Sequence, residues 1–264
     1  MRRLFLVLFL LLTAVTARAH DFWIEPSSFR PAVGSLVSAS LRVGQDFVGD
    51  PVPRSAQRIE KFIVRDGANE RPLVGQENRD PAGLLRLDTP GVAIIGYRSR
   101  PEALELPAQK FEEYLRSEGL ESIIALRAKR GESAKPDKEI FSRCAKAILF
   151  TGGGGGGARH DKEVAQPLGF RFEIVPESNP YTAGGAIAFR LLFDGKPLRD
   201  ALVTAIRQDD PGKPMRARSD RAGRVTLDLR ARGVWLVKSV QIIPAPPSSG
   251  AEWESLWASV TFER

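Results

Sequence analysis

Alternating apolar and polar residues recur in short runs along the first part of the chain. Residues 35–43 alternate in this way, and residues 59–65 alternate and stop at Asp66-Gly67, a sequence typical of a tight turn. Because successive side chains of a strand point to opposite faces, alternation over about four to eight residues indicates a half-buried strand. The pattern predicts a β domain of short strands over residues 20–150.

Two further apolar runs flank a strong turn signal. Residues 84–87 and 92–98 read as strands, and Asp88-Thr-Pro-Gly91 lies between them. Pro and Gly in such a segment favour a turn. We predict that these two strands pair with each other.

Residues 107–130 have a different period. Phe111, Tyr114 and Leu115 recur at the spacing of one helix face, and charged residues fill the other face. Pro107 suits the first turn of a helix, where its missing N–H is not needed. This segment is therefore predicted to be a helical insertion in the first domain. The apolar segment that follows, residues 139–150, fits either a strand or a helix, and we favour a strand.

Six consecutive glycines at residues 152–157 separate the two halves of the chain. A phosphate-binding P-loop would end in Lys-Ser or Lys-Thr, and this run does not. Ordering so many glycines costs much backbone entropy. We therefore interpret residues 151–166 as a flexible linker or loop.

The last part of the chain again reads as short strands. Turn signals stand at Asp194-Gly195 and at Arg221-Ala-Gly223 between alternating segments. About seven short strands in a segment of this length are typical of an antiparallel sandwich. The predicted fold class is mainly β, with two antiparallel β-sandwich domains at residues 20–150 and 167–264 and the helical insertion at about 107–130.

Residues 1–19 have the pattern of a secretory signal peptide. Arg2 and Arg3 precede the apolar stretch 4–15, and Ala17-Arg-Ala19 is a small-x-small cleavage site. An apolar stretch of about twelve residues is too short to cross a bilayer comfortably. We expect residues 1–19 to be removed, and the mature protein to be periplasmic or secreted with no transmembrane segment.

Composition and charge exclude several classes of protein. The chain of 264 residues has one Cys and two His, so neither an intramolecular disulfide framework nor a cysteine-based zinc site is available. The formal charge of +7 falls to +4 once the three arginines of the signal peptide are removed. That charge is weak for nucleic-acid binding, so we expect no nucleic-acid partner. Cys144 lies in an apolar stretch and is predicted to be a small buried core residue.

Cleavage after Ala19 would make His20 the first residue of the mature chain. A free N-terminal histidine offers its α-amine and its imidazole Nδ1, which together can chelate one ion, and imidazole suits nickel, copper and zinc. Asp21 and Glu25 are candidate oxygen donors, and His160 is a candidate second imidazole. The alternative is that His20 is only the frayed residue that the peptidase exposes, and that His160 is a solvated loop residue.

No catalytic motif stands out in the chain. It contains neither a Gly-x-Ser-x-Gly elbow nor a His-Glu-x-x-His pair. Adjacent carboxylates such as Glu112 and Glu113 are better explained as a solvated face, because a glycosidase pair is defined by its separation in space. The late tryptophans, Trp253 and Trp257, suggest either a sugar-binding platform or the packing of a closing strand, and we favour packing. We expect the protein not to be an enzyme.

Segments spread over the whole mature chain carry a family resemblance. They are Ala19-His-Asp-Phe-Trp-Ile-Glu-Pro26, Phe111-Glu-Glu-Tyr-Leu115, Glu118-Gly-Leu120, Phe141-Ser-Arg-Cys-Ala-Lys146, Pro167-Leu-Gly169, Glu173-Ile-Val-Pro176, Phe193-Asp-Gly-Lys-Pro197 and Trp253-Glu-Ser-Leu-Trp-Ala-Ser259. Together they resemble the DUF4198 family of exported bacterial proteins, some of which are labelled nickel-uptake-associated periplasmic proteins. The resemblance is specific for the family and much less specific for a function.

The resemblance implies a two-domain periplasmic β protein with an immunoglobulin- or transthyretin-like C-terminal module. It also implies an association of some members with nickel or cobalt transport, and it maps the family's N-terminal histidine onto His20. Many members carry a histidine in the strand that here reads Val240-Gln-Ile-Ile-Pro244, where this chain has Gln241. A neutral amide is a poor ligand beside imidazole, so this departure removes one imidazole from the implied ligand set.

Two functions remain as hypotheses. The first is a periplasmic accessory protein that binds nickel, cobalt or copper through His20 and works with a metal-transport system in the inner or outer membrane. The second is a non-catalytic structural or interaction module that binds a protein or carbohydrate partner, with His20 incidental. A copper oxygenase would need a second fixed histidine, which Gln241 and the loop position of His160 do not supply.

Overall fold

The computed structural model describes residues 20–152 and 162–264, which form three β-sheets, two short α-helices and a helical turn at 162–164. The strands are β1 (Asp21–Pro26), β2 (Leu36–Gln45), β3 (Val48–Val52), β4 (Ile59–Asp66), β5 (Asn69–Pro72), β6 (Gly83–Arg86), β7 (Gly91–Ser99), β8 (Glu102–Leu106), β9 (Asp137–Thr151), β10 (Phe172–Pro176), β11 (Ala186–Phe193), β12 (Lys196–Pro197), β13 (Leu202–Arg207), β14 (Met215–Arg218), β15 (Arg224–Asp228), β16 (Val234–Pro244) and β17 (Trp253–Glu263). The helices are α1 (Ala108–Ser117) and α2 (Glu121–Lys129), with a 3-10 turn at Pro247–Ser249. The predicted signal peptide, residues 1–19, lies outside the described residues.

A nine-stranded sheet runs through the middle of the fold. Its order is β14-β13-β16-β17-β9-β7-β4-β5, with β8 also paired to β9. The last strand, β17, lies parallel to β9, from Trp253 opposite Glu139 to Thr261 opposite Ala147. This central sheet therefore takes strands from both sides of the glycine run. The division of the chain into two domains at residues 151–166 stays a prediction. The central sheet contains strands from both of the predicted domains.

The other two sheets cover opposite faces of the central sheet. One contains β1, β2, β3 and β6, and the other contains β10, β11, β12 and β15. On β9, Ala145, Ala147 and Leu149 pack towards the first of these sheets. Ile148 and Phe150, which alternate with them along the strand, pack towards the second covering sheet. The second half of the strand is buried on both faces, which explains why residues 147–150 are all apolar, and the strand predicted at 139–150 is confirmed.

The predicted pairing of residues 84–87 with 92–98 is wrong. Strand β6 pairs with β2 in the first covering sheet. Strand β7 pairs instead with β4 and β9 in the central sheet. The turn between β6 and β7 carries the chain from one layer to the next, and an alternating pattern defines the faces of a strand but not its partner. The mainly β character is confirmed, with three sheets in the described residues.

The helical pattern at residues 107–130 corresponds to α1 and α2. Helix α1 buries Phe111, Tyr114 and Leu115, and these side chains pack with Trp253 and Trp257 of β17. The Tyr114 and Trp257 rings are stacked with their centroids 5.3 Å apart. The interpretation of these tryptophans as packing residues is confirmed, and so is the burial of Cys144.

Helix α1 ends beside the central sheet because of Gly119. This glycine has a φ of +68°, and a Cβ placed on it would lie 2.8 Å from the Cβ of Leu202. Both the left-handed conformation and the close approach therefore require glycine. No helix of the described residues is long and apolar enough to cross a membrane.

A buried ion pair joins β9 to the start of β10. The Lys146 Nζ lies 3.0 Å from Glu173 Oε1, and both side chains are almost completely buried. The Glu173 carboxylate also accepts hydrogen bonds from the backbone N–H groups of Leu168, Gly169 and Phe170. Burial lowers the pKa of Lys146 even though Glu173 opposes the shift. Four donors thus satisfy one buried carboxylate and fix the chain where it enters the second covering sheet.

Replacing Lys146 by Met should strongly destabilise the fold. The substitution K146M keeps the length of the side chain but leaves the Glu173 charge buried without its cation, which typically costs about 3–5 kcal/mol. The free energy of unfolding, measured by urea titration, should fall by this amount. The exposed Lys213 provides the control, since K213M should leave that free energy unchanged. A loss below about 1 kcal/mol for K146M would show that the pair does not hold these segments together.

Candidate functional site

Strand β1 is fixed on the central sheet by two hydroxyl groups of β17. The Ser259 Oγ donates to the carbonyl oxygen of Phe22 at 2.7 Å, and the Thr261 Oγ1 donates to that of Ile24 at 2.7 Å. All of these groups are buried. The other edge of β1 pairs with β2, beginning at Asp21 opposite Gly44. The strand that follows His20 is therefore held on two sides from its first residue.

His20 itself is exposed, but its backbone is held by Arg143. The Arg143 Nη1 donates to the His20 carbonyl oxygen at 2.6 Å. The guanidinium carbon lies 5.0, 5.2 and 5.6 Å from the ring centroids of Trp257, Phe141 and Phe22. Three aromatic rings thus limit the movement of the guanidinium, and an oriented guanidinium in turn orients the peptide group of His20.

His20 lines an open depression of about 470 Å³ on one face of the first covering sheet. Gln45 and Asp50 supply its polar side chains, and Val43 and Val48 supply apolar ones. The strand register places Gln45 opposite Val48 and Val43 opposite Asp50, so these side chains share one face. The depression offers space beside His20 and one carboxylate within the same cavity.

Asp21 is engaged elsewhere. It is buried, and its Oδ1 lies 2.5 Å from the Lys238 Nζ, which also lies 2.9 Å from Glu118 Oε1. Burial alone would lower the pKa of Lys238, but the Glu118 and Asp21 carboxylates outweigh it and the pKa is raised. For Glu118, burial outweighs the attraction of Lys238, so its pKa is raised. Asp21 therefore serves a buried ion triad at the start of β1.

Glu25 likewise has a cation of its own. Its Oε2 accepts a hydrogen bond from the Arg42 Nε at 2.6 Å, and the Arg42 Nη1 lies 3.3 Å from the Asp80 Oδ2. The structure does not gather the sequence-predicted ligands into one cluster. In residues 20–152 and 162–264 no group of three or more His, Cys, Asp or Glu side chains is placed to hold a metal ion. The fourth candidate, His160, lies outside the described residues.

Position 241 does not face His20. The pairing of β16 with β17 is continuous, so side chains alternate strictly along β16. Lys238 points towards Asp21 of β1, and Val240 packs with the helices on the same face. Gln241 must therefore lie on the opposite face of the central sheet. A histidine at this position would not have stood beside His20, so Gln241 takes no imidazole away from the N-terminal site.

Sequence reasoning missed the two residues that organise this region. Arg143 is 123 positions from His20, and Lys238 is 217 positions from Asp21. No local pattern can reveal such pairs, because they depend on which strands become neighbours. A partial signal was available in β16, where Lys238 interrupts a strand that is otherwise largely apolar.

A buried carboxylate lies under the same region. Glu139 is only 2% exposed, and one of its oxygens, Oε2, has no hydrogen-bond partner among the described residues. Burial raises its pKa from the usual 4.5 to about 7, against the opposing effects of a hydrogen bond with Ser255 and the charge of Arg143. Burial also raises the pKa of the nearby Tyr114 hydroxyl, and the charge of Glu139 adds to the shift. Glu139 therefore keeps its proton to a higher pH in the folded protein than an exposed glutamate does.

Comparisons with known proteins give a family but no activity. A family model described as a domain of unknown function (DUF4198) matches residues 17–242. No curated protein matches the chain. Among solved structures, the chain is similar to the D0-D1 domain of Intimin at 14% identity, over 92% of this chain and 97% of that one, with a TM-score of 0.22. A score this low does not establish a shared fold.

The stability of the protein should fall between pH 5 and pH 8 through Glu139. The raised pKa means that the folded protein binds more protons than the unfolded chain between pH 4.5 and about 7. Stability from this group is complete below that window and is lost as the pH rises through it, by about 3 kcal/mol. The variant E139Q cannot ionise and should lack this fall. Urea unfolding of the unmodified protein and of E139Q at pH 5 and at pH 8 measures this fall. If the free energies of unfolding of the two proteins differ by the same amount at both pH values, Glu139 is not the group responsible.

Proposed function

The chain belongs to the DUF4198 family, and from its own residues we propose that it is a non-enzymatic periplasmic accessory protein that binds a divalent transition metal through His20. The observation that carries the proposal is the hydrogen bond from Arg143 to the His20 carbonyl at the start of an anchored strand. In the processed protein the α-amine and the imidazole Nδ1 of His20 would both stand on this fixed backbone. Such preorganisation lowers the entropy that a chelate must lose on binding.

An open site suits a protein that takes up and passes on its metal. His20 is exposed, and the depression beside it leaves room for other donors. Two donors from one residue would hold the ion, and water or a small chelator would complete the coordination. A site of this kind exchanges its metal more readily than a closed cage, which supports delivery to a transport system in the inner or outer membrane.

The chemistry of the donors favours late transition metals. Imidazole and amine nitrogens suit nickel, cobalt and copper, and copper binds most tightly in the divalent series. Asp50 lines the depression and is the carboxylate best placed for a further contact. The sequence-predicted donors, Asp21 and Glu25, would have to leave Lys238 and Arg42 before they could join.

A second candidate function is an interaction module for a protein partner. It rests on an apolar patch formed by Leu36, Val74 and Leu84, of which Leu36 is 61% and Val74 is 69% exposed. Val74 bridges to Leu84, and Leu84 lies one strand away from β2, which carries Leu36. The four tryptophans are buried, so a carbohydrate platform of stacked rings has no support in the described residues.

Calorimetric titration of the processed protein with Ni²⁺ and with Cu²⁺ tests the metal proposal. We expect one strong site per molecule. Mass spectrometry of the same sample should show that His20 is the first residue of the processed protein. A variant with one Ala added before His20 keeps the imidazole but moves the amine, so it should bind at least tenfold more weakly. Because protons compete for both nitrogens, binding should weaken as the pH falls.

The matched variant for this titration is H20A, which keeps the free amine and removes the ring. It should lose binding to the same extent as the extended variant. Unchanged affinity in either variant would rule out an N-terminal chelate and would leave the interaction module as the better account of the protein.

A further inference from the structure

A second cavity lies on the other side of the start of β1. It has a volume of about 270 Å³, and we call it the Lys238 pocket. Its lining includes Asp21, Gln45, Asp46, Thr204, Arg216 and Lys238. These residues come from β1, β2, the turn after β2, β13, β14 and β16. Elements from both halves of the chain therefore converge on one polar cavity, and neither the metal proposal nor the family assigns it a role.

The floor of the Lys238 pocket is built on the central sheet. Thr204 and Lys238 are direct cross-strand partners in β13 and β16, so their side chains stand together on one face. An ammonium group has three N–H donors. Asp21 and Glu118 accept two of them, which leaves one donor of Lys238 for a ligand. Thr204 is buried, and its hydroxyl makes no hydrogen bond within the described residues.

Two charged side chains at the rim of the pocket are unpaired. Arg216 and Asp46 line the same cavity, and in the part of the chain that the structure describes neither makes an ion pair or a side-chain hydrogen bond. Exposed charges are often unpaired, so either residue alone would mean little. Here one cation and one anion face a single small cavity without pairing with each other.

The turn that presents Asp46 is strained. Asp46 and Phe47 have φ values of +52° and +61°, in the left-handed region that a bulky residue such as Phe rarely adopts. Burial of Phe47 holds the turn in place, with its ring 5.3 Å from that of Trp23 in an edge-on contact. Strain of this kind persists where the surrounding structure enforces it, often beside binding sites.

We infer that the Lys238 pocket binds a small zwitterion of the amino acid type, with its carboxylate against Lys238 and Thr204 and its ammonium group against Asp46. Arg216 supplies further donors to the carboxylate, in the fork geometry that suits this group.

The balance of charge distinguishes this ligand from a simple anion. Asp21, Asp46 and Glu118 carry three negative charges, and Lys238 and Arg216 carry two positive ones. A lone anion would enter a pocket whose lining is negative overall, whereas a zwitterion brings its own cation for Asp46. The volume of about 270 Å³ lies just below the usual range of ligand pockets, about 300–1,000 Å³, which suits a solute as small as an amino acid.

The test uses L-alanine as the probe and the processed, full mature chain. Backbone amide shifts of Thr204 and Lys238 in heteronuclear NMR spectra should titrate saturably with L-alanine at one site. Propionate lacks the ammonium group and L-alaninamide lacks the carboxylate, so each should bind at least tenfold more weakly. The variant with one Ala added before His20 should bind L-alanine normally, which separates this pocket from the metal site.

Three variants locate the binding. T204V keeps the shape of the side chain without its hydroxyl, and R216Q removes the guanidinium from an exposed position. Both variants should therefore fold, and each should weaken L-alanine binding at least tenfold. R221Q, at an exposed position outside the pocket, should have no effect. Absence of saturable shifts, equal binding of propionate or L-alaninamide, or unchanged binding in T204V and R216Q would each overturn the inference.

Discussion

The arrangement of the amino-terminal region depends on two hydroxyl groups of the last strand, Ser259 and Thr261, which hold the carbonyl groups of β1. Strand β17 can do this because it occupies the middle of the central sheet, parallel to β9 on one side and antiparallel to β16 on the other. The end of the chain thus fixes its beginning. Pairing with β2 and the burial of Phe22 and Ile24 also hold β1, but without these two contacts its carbonyl groups would lose their partners on β17, and the positions of His20 and Asp21 would be less fixed.

One anchored strand then serves two different surfaces. His20 and Asp21 are consecutive, and side chains alternate between the faces of an extended chain. His20 lines the open depression with Gln45 and Asp50, while Asp21 reaches the buried ammonium of Lys238. Gln45 lines both cavities, so the two lie on either side of the same strand pair. The geometry explains why Asp21, although adjacent to His20, does not act with it.

Local features of the fold followed from the sequence, and the contacts between layers did not. The alternation at residues 59–65 and the helical spacing of Phe111, Tyr114 and Leu115 correspond to β4 and α1, because each pattern is a property of one element. The partner of β6 could not be predicted, since strands that follow each other across a turn here belong to different sheets. The shared central sheet was hidden for the same reason.

In the candidate site, too, the sequence predicted the local feature but not the contacts between distant residues. His20 was predicted from its position after a cleavage signal, which is a local property of the sequence. Its contact with Arg143 and the engagement of Asp21 by Lys238 arise only when β9 and β16 come next to β1 in space. Buried charges need partners, so a lysine in a largely apolar strand predicts that a carboxylate is near, but it does not say which one.

The fixed position of the amino-terminal strand can be measured directly by ¹⁵N relaxation of the processed protein. If β1 is anchored by β17 and Arg143, the backbone amide of Asp21 should have an order parameter of about 0.85, equal to those of the central sheet. A value below about 0.6 would mean that the strand is frayed from its first residue. His20 would then have no fixed backbone, and the account given for this end of the molecule would be wrong.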